Sequence, residues 1–388
     1  MKVLSISHSA VVGGYHDRYR EVVRQGGVDL TLLTPERWRQ FNRTVELEKK
    51  SDPEYRIIAR QPATWGLPGH GLKNVSHVYL GIAGLIAEVR PEIIELWEEP
   101  FSAVTAHTIR AARRTVPRAK LIFFSAQNIR KSYPPPFSWF EKYTYRHADF
   151  AFIMNKEAEE VVRKKGWRKG SLVLPLGVNT ERFQKLSVSS LRANLGLDRF
   201  TVGFVGKLEV QKGVSDLVQA VGKLKDEVNL LIIGGGTLKK RLNDLIEELG
   251  LSERTRIVPS VPYDELPNYF NCMDALVLPS VTLPGLKEQF GRVLIEAMAC
   301  EVPVIGSDSG EIPDVIGDAG LIFEEGNSDA LSERITLLIS NPNRVRELAR
   351  KGRQRVEDKY AWSVIACQQI RVYNKLLFIS PPPPSSLR

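Results

Sequence analysis

The chain has 388 residues, more than one ordinary hydrophobic core holds, which predicts two domains. Its 43% hydrophobic and 26% charged residues are typical of a soluble globular protein, and no apolar stretch of the first half is long enough to span a membrane. The net charge of +9 is uneven: residues 1–190 hold 30 Lys and Arg against 19 Asp and Glu (+11), and the remainder holds 24 against 26 (−2). A basic half attracts an acidic polymer or an anionic membrane surface, and nucleic acid is disfavoured because no nucleic-acid-binding motif accompanies the charge.

The first residues predict a strand rather than a targeting segment. MKVLSISHSAVVGGY holds a single lysine and no apolar run of the length that a signal peptide needs. The three cysteines, Cys272, Cys300 and Cys367, are odd in number and far apart, which favours a reducing compartment without disulfides or a zinc motif. We therefore expect a cytoplasmic protein, and its basic half suits the inner face of the membrane.

Short apolar runs alternate with helical patterns through the first half. Helical patterns occupy, for example, Ala103–Thr115 and Lys156–Lys165. The predicted strands are Val3–His8, Asp29–Thr34, Glu92–Trp97, Leu121–Ala126, Phe150–Asn155 and Leu172–Pro175. This alternation is typical of βαβ units and predicts a doubly wound parallel sheet. Residues 36–74, rich in charge, proline and glycine, give no clear pattern.

The densest basic run is RKKGWRKG, residues 163–170, which follows a helical pattern. A basic helix end with Trp167 suits docking at a membrane interface. The alternative is an ordinary helix C-terminus, with cations favourable to the helix dipole and Gly166 as the stop.

The same alternation of strand and helix patterns begins again near residue 200 and predicts a second doubly wound domain. Its predicted strands are Thr201–Gly206, Asn229–Gly234, Thr255–Pro259, Ala275–Ser280, Val302–Ser307 and Gly320–Phe323. Its predicted helices are Val214–Lys225, Leu238–Glu248, Asp264–Asn271, Gly291–Ala299, Ser328–Ser340 and Asn343–Asp358. A further helical pattern covers Ser363–Phe378 and precedes a proline-rich tail.

We therefore expect an α/β protein with Rossmann-like domains at residues 1–186 and 187–362 and a C-terminal helix at 363–380. Residues 381–388, with four prolines and two serines, are predicted to be disordered. Ligands of open α/β sheets bind beyond the carboxyl ends of the strands, so we expect the site in a central cleft that the two domains face.

Two loops after predicted strands suit an anionic ligand. Gly13 and Gly14 let the backbone N–H groups of a following helix approach an anion, although such pairs also occur in plain turns. In KLEVQKG, Lys207 and Lys212 flank a loop where two ammonium groups suit a pyrophosphate. The alternative for this loop is a pair of solvated lysines.

The glycine-rich run IIGGGTLKKRL, residues 232–242, does not complete a dinucleotide-binding fingerprint. Lys239 stands where a third glycine is required after Gly234 and Gly236, and no acidic ribose partner follows. NAD is therefore not expected, and no P-loop motif is present. The glycines instead predict a strand-to-helix turn that lines the cleft.

The stretch LKEQFGRVLIEAMAC places Glu288 before a predicted helix and Glu296 within it. A buried carboxylate needs good donors, and the vicinal hydroxyls of a ribose would serve Glu296; the alternative is an exposed side chain that pairs with Arg292. Glu288 lies beside the positive helix end, where it suits the hydroxyls of a sugar attached to a phosphate; the alternative is an ordinary loop glutamate.

At these residues the chain resembles a known family. EQFGRVLIEAMA, with VPVIGSDSGEIPDVIGDAG, GKLEVQKG and GVNTERF, is similar to the motifs of the retaining family 4 glycosyltransferases, which have the two-domain GT-B fold. The resemblance is specific over residues 177–325 and loose before residue 120. It implies transfer of a sugar from a nucleoside-diphosphate sugar to a saccharide or lipid-linked acceptor, in cell-envelope polysaccharide or glycolipid synthesis. It implies no cofactor besides this donor substrate.

The resemblance also implies residue roles. Glu288 would contact the donor sugar and support the oxocarbenium ion, Lys207 and Lys212 would bind the diphosphate, and Glu296 would hold the ribose. The other predicted binding residues are Gly13, Gly14, Gln127, Asn128, Gly206, Gly234, Val261, Pro262, Phe290, Gly291, Arg292 and Val293. The final helix would cross back to the first domain.

The chain departs from the family pattern in three respects. Lys207 stands where arginine is frequent, which loses a bidentate grip on phosphate but keeps the charge. Glu301 stands where glycine is usual, and a left-handed conformation there would cost about 1 kcal/mol. Gln127 and Asn128 follow a strand near which the family often has a histidine, and their amides bind hydroxyls but cannot act as bases.

The expected mechanism is transfer with retention, in which the acceptor attacks the face that the nucleotide leaves and a phosphate oxygen takes its proton. No Asp-x-Asp follows a predicted strand, so a metal-held diphosphate is not expected. The alternatives are a nucleotide-sugar epimerase of the same fold and a catalytically idle partner subunit. The sequence leaves the sugar, the base and the acceptor open.

Overall fold

The computed structural model describes residues 1–40, 43–48, 51–64, 75–224 and 228–378. The chain divides into two compact units. The first unit comprises Met1–Pro175 and the segment that begins at Trp362, and the second comprises Leu176–Ala361. The boundary predicted from the sequence lies further along the chain, between residues 186 and 187. The predicted tail at 381–388 lies outside the described residues.

The first unit is built on a sheet of seven parallel strands in the order β11-β10-β9-β8-β1-β2-β5. Two short antiparallel pairs, β3-β4 and β6-β7, accompany it. The strands are β1 Lys2–Ile6, β2 Asp29–Thr34, β3 Arg37–Gln40, β4 Arg43–Glu46, β5 Arg56–Ala59, β6 Ala63–Thr64, β7 His77–Val78, β8 Ile93–Leu96, β9 Lys120–Ser125, β10 Phe150–Ile153 and β11 Gly170–Val173. Its first helices are α1 His16–Arg24, α2 Ile82–Val89, α3 Ala103–Thr115, α4 Phe137–His147 and α5 Lys156–Lys164.

Helices cover both faces of this sheet, because successive side chains of each strand point to opposite faces. On β1, Val3 packs in a cluster with Val22 of α1, whereas Leu4 packs in a second cluster with Ile86 of α2 and Ile109 of α3. The prediction of a doubly wound parallel sheet is therefore confirmed. The sheet also includes β5, which lies within residues 36–74, where no clear pattern was recognised.

The basic run at residues 163–170 ends a helix. Helix α5 stops at Lys164, and Gly166 takes the positive φ of 110° that glycine tolerates. Trp167 is fully buried, stands edge-on to Phe123 with ring centroids 5.0 Å apart, and donates from Nε1 to the carbonyl of Gly170. Trp167 is thus a core residue, so the run forms an ordinary helix C-terminus, the second of the two interpretations, and Trp167 is not available to dock on a membrane interface.

The second unit has a sheet of six parallel strands in the order β14-β13-β12-β15-β16-β17. Its strands are β12 Phe200–Val205, β13 Val228–Ile233, β14 Thr255–Val258, β15 Ala275–Leu278, β16 Val304–Ser307 and β17 Gly320–Phe323. Its helices are α6 Ser189–Asn194, α7 Val214–Lys223, α8 Lys239–Glu248, α9 Leu266–Phe270, α10 Arg292–Ala299, α11 Ile312–Ile316, α12 Ser328–Ser340 and α13 Pro342–Arg355. A π-helical turn, Val356–Tyr360, follows α13.

The last helix, α14 Trp362–Leu377, belongs to the first unit and packs against α1. A buried polar network joins it to the sheet. Arg18 of α1 pairs with Glu95 of β8, and Glu95 also accepts hydrogen bonds from Gln369 and Tyr373 of α14. Within the described part of the chain, no helix combines the length and apolar character that crossing a membrane requires.

Candidate functional site

Lys212 and Glu288 meet at the carboxyl edge of the second sheet. Lys212 Nζ lies 2.5 Å from Oε2 of Glu288, and Ser280 Oγ donates to the same oxygen at 2.7 Å. Glu288 is 7% exposed and Ser280 is fully buried. The carboxylate is therefore held by a cation and a hydroxyl, as a buried anion requires.

Close backbone approaches position these side chains. Lys212 ends a short 3₁₀ helix, and Gly213 follows with a φ of 60°. A Cβ at Gly213 would lie 1.7 Å from the carbonyl oxygen of Pro279, so only glycine lets this loop pack on the segment after β15. Gly310 plays the same part after β16, because a Cβ there would lie 2.0 Å from the carbonyl oxygen of Glu288.

The N-cap of α10 lies three residues after Glu288. Gly291 is its N-cap with a φ of 81°, and a Cβ at this position would lie 2.7 Å from the side chain of Leu278. Phe290 is buried against Tyr360 with ring centroids 5.8 Å apart, while Val293 and Arg292 are half-buried in the first turn. The helix dipole places positive partial charge beside the Lys212–Glu288 pair, which favours a bound anion.

Glu296 lies within α10, one turn after Arg292, and is 2% exposed. Arg292 Nε donates to its Oε1 at 2.6 Å, and the hydroxyl of Tyr263 donates to the same oxygen at 3.1 Å. The guanidinium of Arg292 also stacks over the Tyr263 ring, with Cζ 4.6 Å from its centroid. The carboxylate of Glu296 therefore pairs with Arg292, as the second interpretation expects, but it is buried rather than exposed.

The glycine turns after β12 and β13 pack on each other. A Cβ at Gly234 would lie 1.9 Å from the carbonyl oxygen of Gly206, and one at Gly236 would lie 2.4 Å from that of Leu208. These glycines therefore join two strand ends, in agreement with the strand-to-helix turn expected from the sequence. Lys207, in the first of the two turns, is exposed.

Val261 and Pro262 follow β14 at the same edge of the sheet. Val261 is half-buried and Pro262 is exposed, and Pro262 leads into the 3₁₀ turn that carries Tyr263. The contact of Tyr263 with Glu296 therefore brings this predicted base-edge segment next to the second glutamate.

Helix α10 ends in a Schellman motif at Glu301, the position where the sequence predicts a strained backbone. Glu301 has a φ of 58°, its N–H bonds to the carbonyl of Met298, and the N–H of Val302 bonds to that of Ala297. A left-handed glutamate is thus present at this C-terminus.

In the first unit, the predicted glycine loop is hydrogen-bonded to a carboxylate of the protein itself. Gly13 begins a 3₁₀ turn, Gly13–Tyr15, which contains Gly14 and precedes α1. The N–H of Gly13 donates to Oε2 of Glu48 at 2.6 Å. A ligand phosphate at this N–H group would have to displace the Glu48 carboxylate.

Gln127 and Asn128 follow β9 and are engaged by neighbouring side chains. Gln127 Nε2 donates to the hydroxyl of Tyr133, and Asn128 Nδ2 donates to Glu157, each at 3.2 Å. Both amides lie beyond the carboxyl end of a central strand of the first sheet.

Sequence reasoning missed Ser280 and Tyr263. Ser280 is the last residue of the predicted strand Ala275–Ser280, but β15 ends at Leu278, so its hydroxyl lies beyond the strand and within reach of Glu288. Tyr263 directly follows the predicted pair Val261 and Pro262. A polar residue just past the end of a buried parallel strand was the signal available for Ser280. Tyr263 follows the edge strand β14 at a greater distance and offers no such signal.

Comparisons with known proteins concern mainly the second unit. Residues 190–355 match the model of the family described as glycosyl transferases group 1. The alpha-maltose-1-phosphate synthase of Mycolicibacterium smegmatis is 31% identical over 204 residues, which cover 48% of this chain and 51% of that protein. A GDP-mannose-dependent alpha-(1-6)-phosphatidylinositol monomannoside mannosyltransferase of the same organism is 31% identical over 199 residues, covering 49% and 52%. The chain thus spans about half the length of the curated relatives that it matches.

Solved structures extend the similarity to both units at the level of the fold. The crystal structure of HepE from Anabaena in complex with UDP matches 97% of this chain and 100% of its own, with a TM-score of 0.74 and 17% identity. Together with the two parallel sheets, this match confirms the predicted GT-B fold.

Proposed function

We propose that the protein is a retaining glycosyltransferase, because residues 190–355 match the model of the group 1 glycosyltransferase family. It would transfer a sugar from a nucleoside diphosphate to a hydroxyl of a saccharide or lipid-linked acceptor, in cell-envelope polysaccharide or glycolipid synthesis. The observation that carries this proposal is the Lys212–Glu288 pair beside the N-terminus of α10, with the buried Glu296 in the same helix.

Each part of the donor has a chemical counterpart in this cluster. Lys207, Lys212 and the helix N-terminus supply positive charge for a diphosphate without a metal ion. Glu288 supplies a carboxylate for the sugar hydroxyls. Glu296, held on Oε1 by Arg292 and Tyr263, supplies an oriented acceptor for ribose hydroxyls. The sugar and phosphate would be enclosed by Phe290, Gly291 and Val293. The strand ends would contribute Gly206 and Gly234, and the base would lie beside Val261 and Pro262.

The proposed reaction breaks the bond between the anomeric carbon and the phosphate oxygen and forms a bond from that carbon to the acceptor oxygen. The acceptor attacks the face that the nucleotide leaves, and its proton passes to a phosphate oxygen of the leaving diphosphate. Lys207, Lys212 and the start of α10 would stabilise the negative charge that develops there. Glu288 orients the sugar and offsets the positive charge of the oxocarbenium ion, so it is not a covalent nucleophile.

The first unit would bind the acceptor, with Gln127 and Asn128 as hydroxyl-binding amides. Residues 1–190, which include most of this unit, carry a net charge of +11, and this favours an anionic or membrane-borne acceptor. We accordingly expect the protein in the cytoplasm at the inner face of the membrane, and sedimentation with phosphatidylglycerol vesicles against phosphatidylcholine vesicles tests that placement.

Nucleotide-sugar binding and product analysis test the proposal together. A thermal-shift screen should include UDP-sugars, because HepE was crystallised with UDP, and GDP-mannose, because a relative depends on it. The donor that stabilises the chain is then incubated with saccharide and lipid-linked acceptors, and the anomeric configuration of the product is determined by NMR. An altered sugar released without acceptor would indicate the epimerase, and the absence of binding to any nucleotide sugar would indicate an idle subunit.

A further inference from the structure

Three potential metal ligands converge at the carboxyl edge of the first sheet, and the proposed function assigns a role to none of them. His8 follows β1, His77 lies in β7, and Glu98 follows β8. One ligand atom from each lies within 4.8 Å of the others. We propose that His8, His77 and Glu98 form a binding site for a divalent transition-metal ion of the zinc class.

The charge balance around Glu98 calls for a cation. Glu98 is 3% exposed, and His8 donates to it from its backbone N–H at 2.8 Å. Within the described ranges, its only ion-pair partners are His8 and His77, and no lysine or arginine reaches it. A buried carboxylate without a permanent cation is costly, and a bound divalent ion would remove that cost.

His77 provides the independent observation that points to a ligand. It is fully buried, and among the described residues neither of its ring nitrogens has a hydrogen-bond partner. Its Nε2 lies 3.7 Å from Oε1 of Glu98, beyond hydrogen-bond distance. Buried polar groups in proteins are nearly always satisfied, so an orphaned imidazole aimed at a carboxylate indicates a missing partner.

Further orphaned polar atoms surround the same place. Tyr79 OH and Trp38 Nε1 are buried and lack hydrogen-bond partners within the described part of the chain. The Trp38 ring lies 4.9 Å from the rings of both His8 and His77, and Tyr79 stands edge-on to His77 at 6.0 Å. An ion with a bound water would give these groups a polar neighbour while the aromatic rings shield it from bulk solvent.

The distances suit a zinc ion without movement of the backbone. Tetrahedral zinc with bonds of about 2.0–2.2 Å keeps its ligand atoms roughly 3.3–3.6 Å apart. The observed separations bracket this range, with Nδ1 of His8 2.7 Å from Glu98 and Nε2 of His77 3.7 Å from it. All three ligand atoms lie within 4.8 Å of one another, so small rotations of the side chains would bring them to these separations.

The donor set also selects the class of metal. Two imidazoles and one carboxylate favour zinc and neighbouring first-row ions over magnesium or calcium, which prefer oxygen ligands alone. The side chain of His8 is 23% exposed, so the site opens to solvent on one side, which admits the ion and leaves a position for water. Bound there, the ion would fasten the ends of β1 and β8 to β7.

The test is direct metal binding to the full chain without an affinity tag. After incubation with Zn²⁺ and dialysis, elemental analysis should give one zinc per chain, and Co²⁺ should produce the visible absorption of a tetrahedral complex. His8→Ala and Glu98→Gln should weaken zinc binding at least about tenfold, as loss of a ligand requires. His107→Asn, a histidine of α3 outside the cluster, should bind zinc as the native chain does.

Circular dichroism separates loss of binding from loss of folding. His8 is partly exposed, so His8→Ala is expected to keep the native spectrum, and only the native chain and His107→Asn should gain thermal stability from Zn²⁺. Native protein that retains no zinc and shows no cobalt band would overturn the proposal. So would variants at His8 and Glu98 that bind zinc as tightly as the native chain.

Discussion

Lys212 and Glu288, 76 residues apart in sequence, form an ion pair of 2.5 Å between the loop after β12 and the loop before α10. The proposed function uses both charges of this pair, because the ammonium group would bind the diphosphate and the carboxylate would bind the sugar. A donor entering this place would therefore be held by two groups that already orient each other. Pre-orientation of this kind lowers the cost of reaching the transition state.

Glu288→Gln should reduce turnover on the order of 100-fold, the size of effect seen when one group that stabilises a transition-state charge is removed. The amide keeps the shape of the side chain and can accept from Ser280, so the affinity for the nucleoside diphosphate should stay within about twofold. Steady-state kinetics and calorimetric titration measure the two quantities. Glu324→Gln, at an exposed glutamate of the same unit, is the matched control, and equal turnover in both variants would remove Glu288 from the mechanism.

Tyr263→Phe should weaken nucleotide binding and leave turnover at saturating donor unchanged. The substitution removes one of the hydrogen bonds that orient the Glu296 carboxylate, and this should reduce the free energy of nucleotide binding by about 1–2 kcal/mol. The dissociation constant of the nucleoside diphosphate should rise roughly fivefold to thirtyfold, the equivalent of that energy. Tyr269→Phe, on the next helix, should leave the constant unchanged; a shared effect of both variants would point to altered packing instead.

The sequence predicted the second unit better than the first because its strands are flanked by glycine turns and clear helical patterns. All six of its strands were predicted to within two residues at each end, for instance Gly320–Phe323 without any difference. Strand β5, Arg56–Ala59, was missed because its burial alternates weakly and it forms the edge of the sheet. Helix α4, Phe137–His147, was missed because few of its side chains are buried and its aromatic residues carry no regular period.

The candidate site divides in the same way. The pairing of Glu288 with a lysine could be anticipated from two motifs, but the burial of Ser280 and the reach of Tyr263 depend on how three loops pack. In the cluster of His8, His77 and Glu98, His8 and Glu98 are 90 positions apart in sequence, so no local motif predicts it. Side chains brought together by the order of strands in a sheet are visible only once that order is known.

Only one of the three cysteines should react in the native chain. Burial raises the pKa of Cys272 to about 11 and that of Cys300 to about 12, where Glu296 raises it further, so neither forms thiolate at pH 8. Cys367 is half-buried and should be the single thiol that Ellman's reagent titrates. Cys367→Ser should abolish the native reaction and leave two thiols that react after denaturation, whereas rapid native modification in this variant would contradict the expected burial.

Arg18→Met should strongly destabilise the first unit. The substitution leaves the Glu95 carboxylate buried without its cation, which costs about 3–5 kcal/mol. Urea unfolding followed by tryptophan fluorescence isolates this effect, because all six tryptophans belong to the residue ranges of the first unit. Arg24→Met, on the same helix but 51% exposed at its side chain, should cost less than about 1 kcal/mol. Equal losses in the two variants would show that the buried network does not hold α14 in place.

Glu301→Gly should stabilise the second unit. Glu301 holds a φ of 58° at the C′ position of a Schellman motif, and a residue with a Cβ pays about 1 kcal/mol there that glycine avoids. The ion pair of Glu301 with Lys185, at 3.2 Å, is largely exposed and offsets only a few tenths of a kcal/mol. Calorimetric unfolding should therefore show a higher melting temperature for Glu301→Gly. Glu301→Ala removes the same carboxylate but keeps the Cβ, so it should not raise the melting temperature, and an equal rise in both variants would assign the effect to the charge rather than to the backbone.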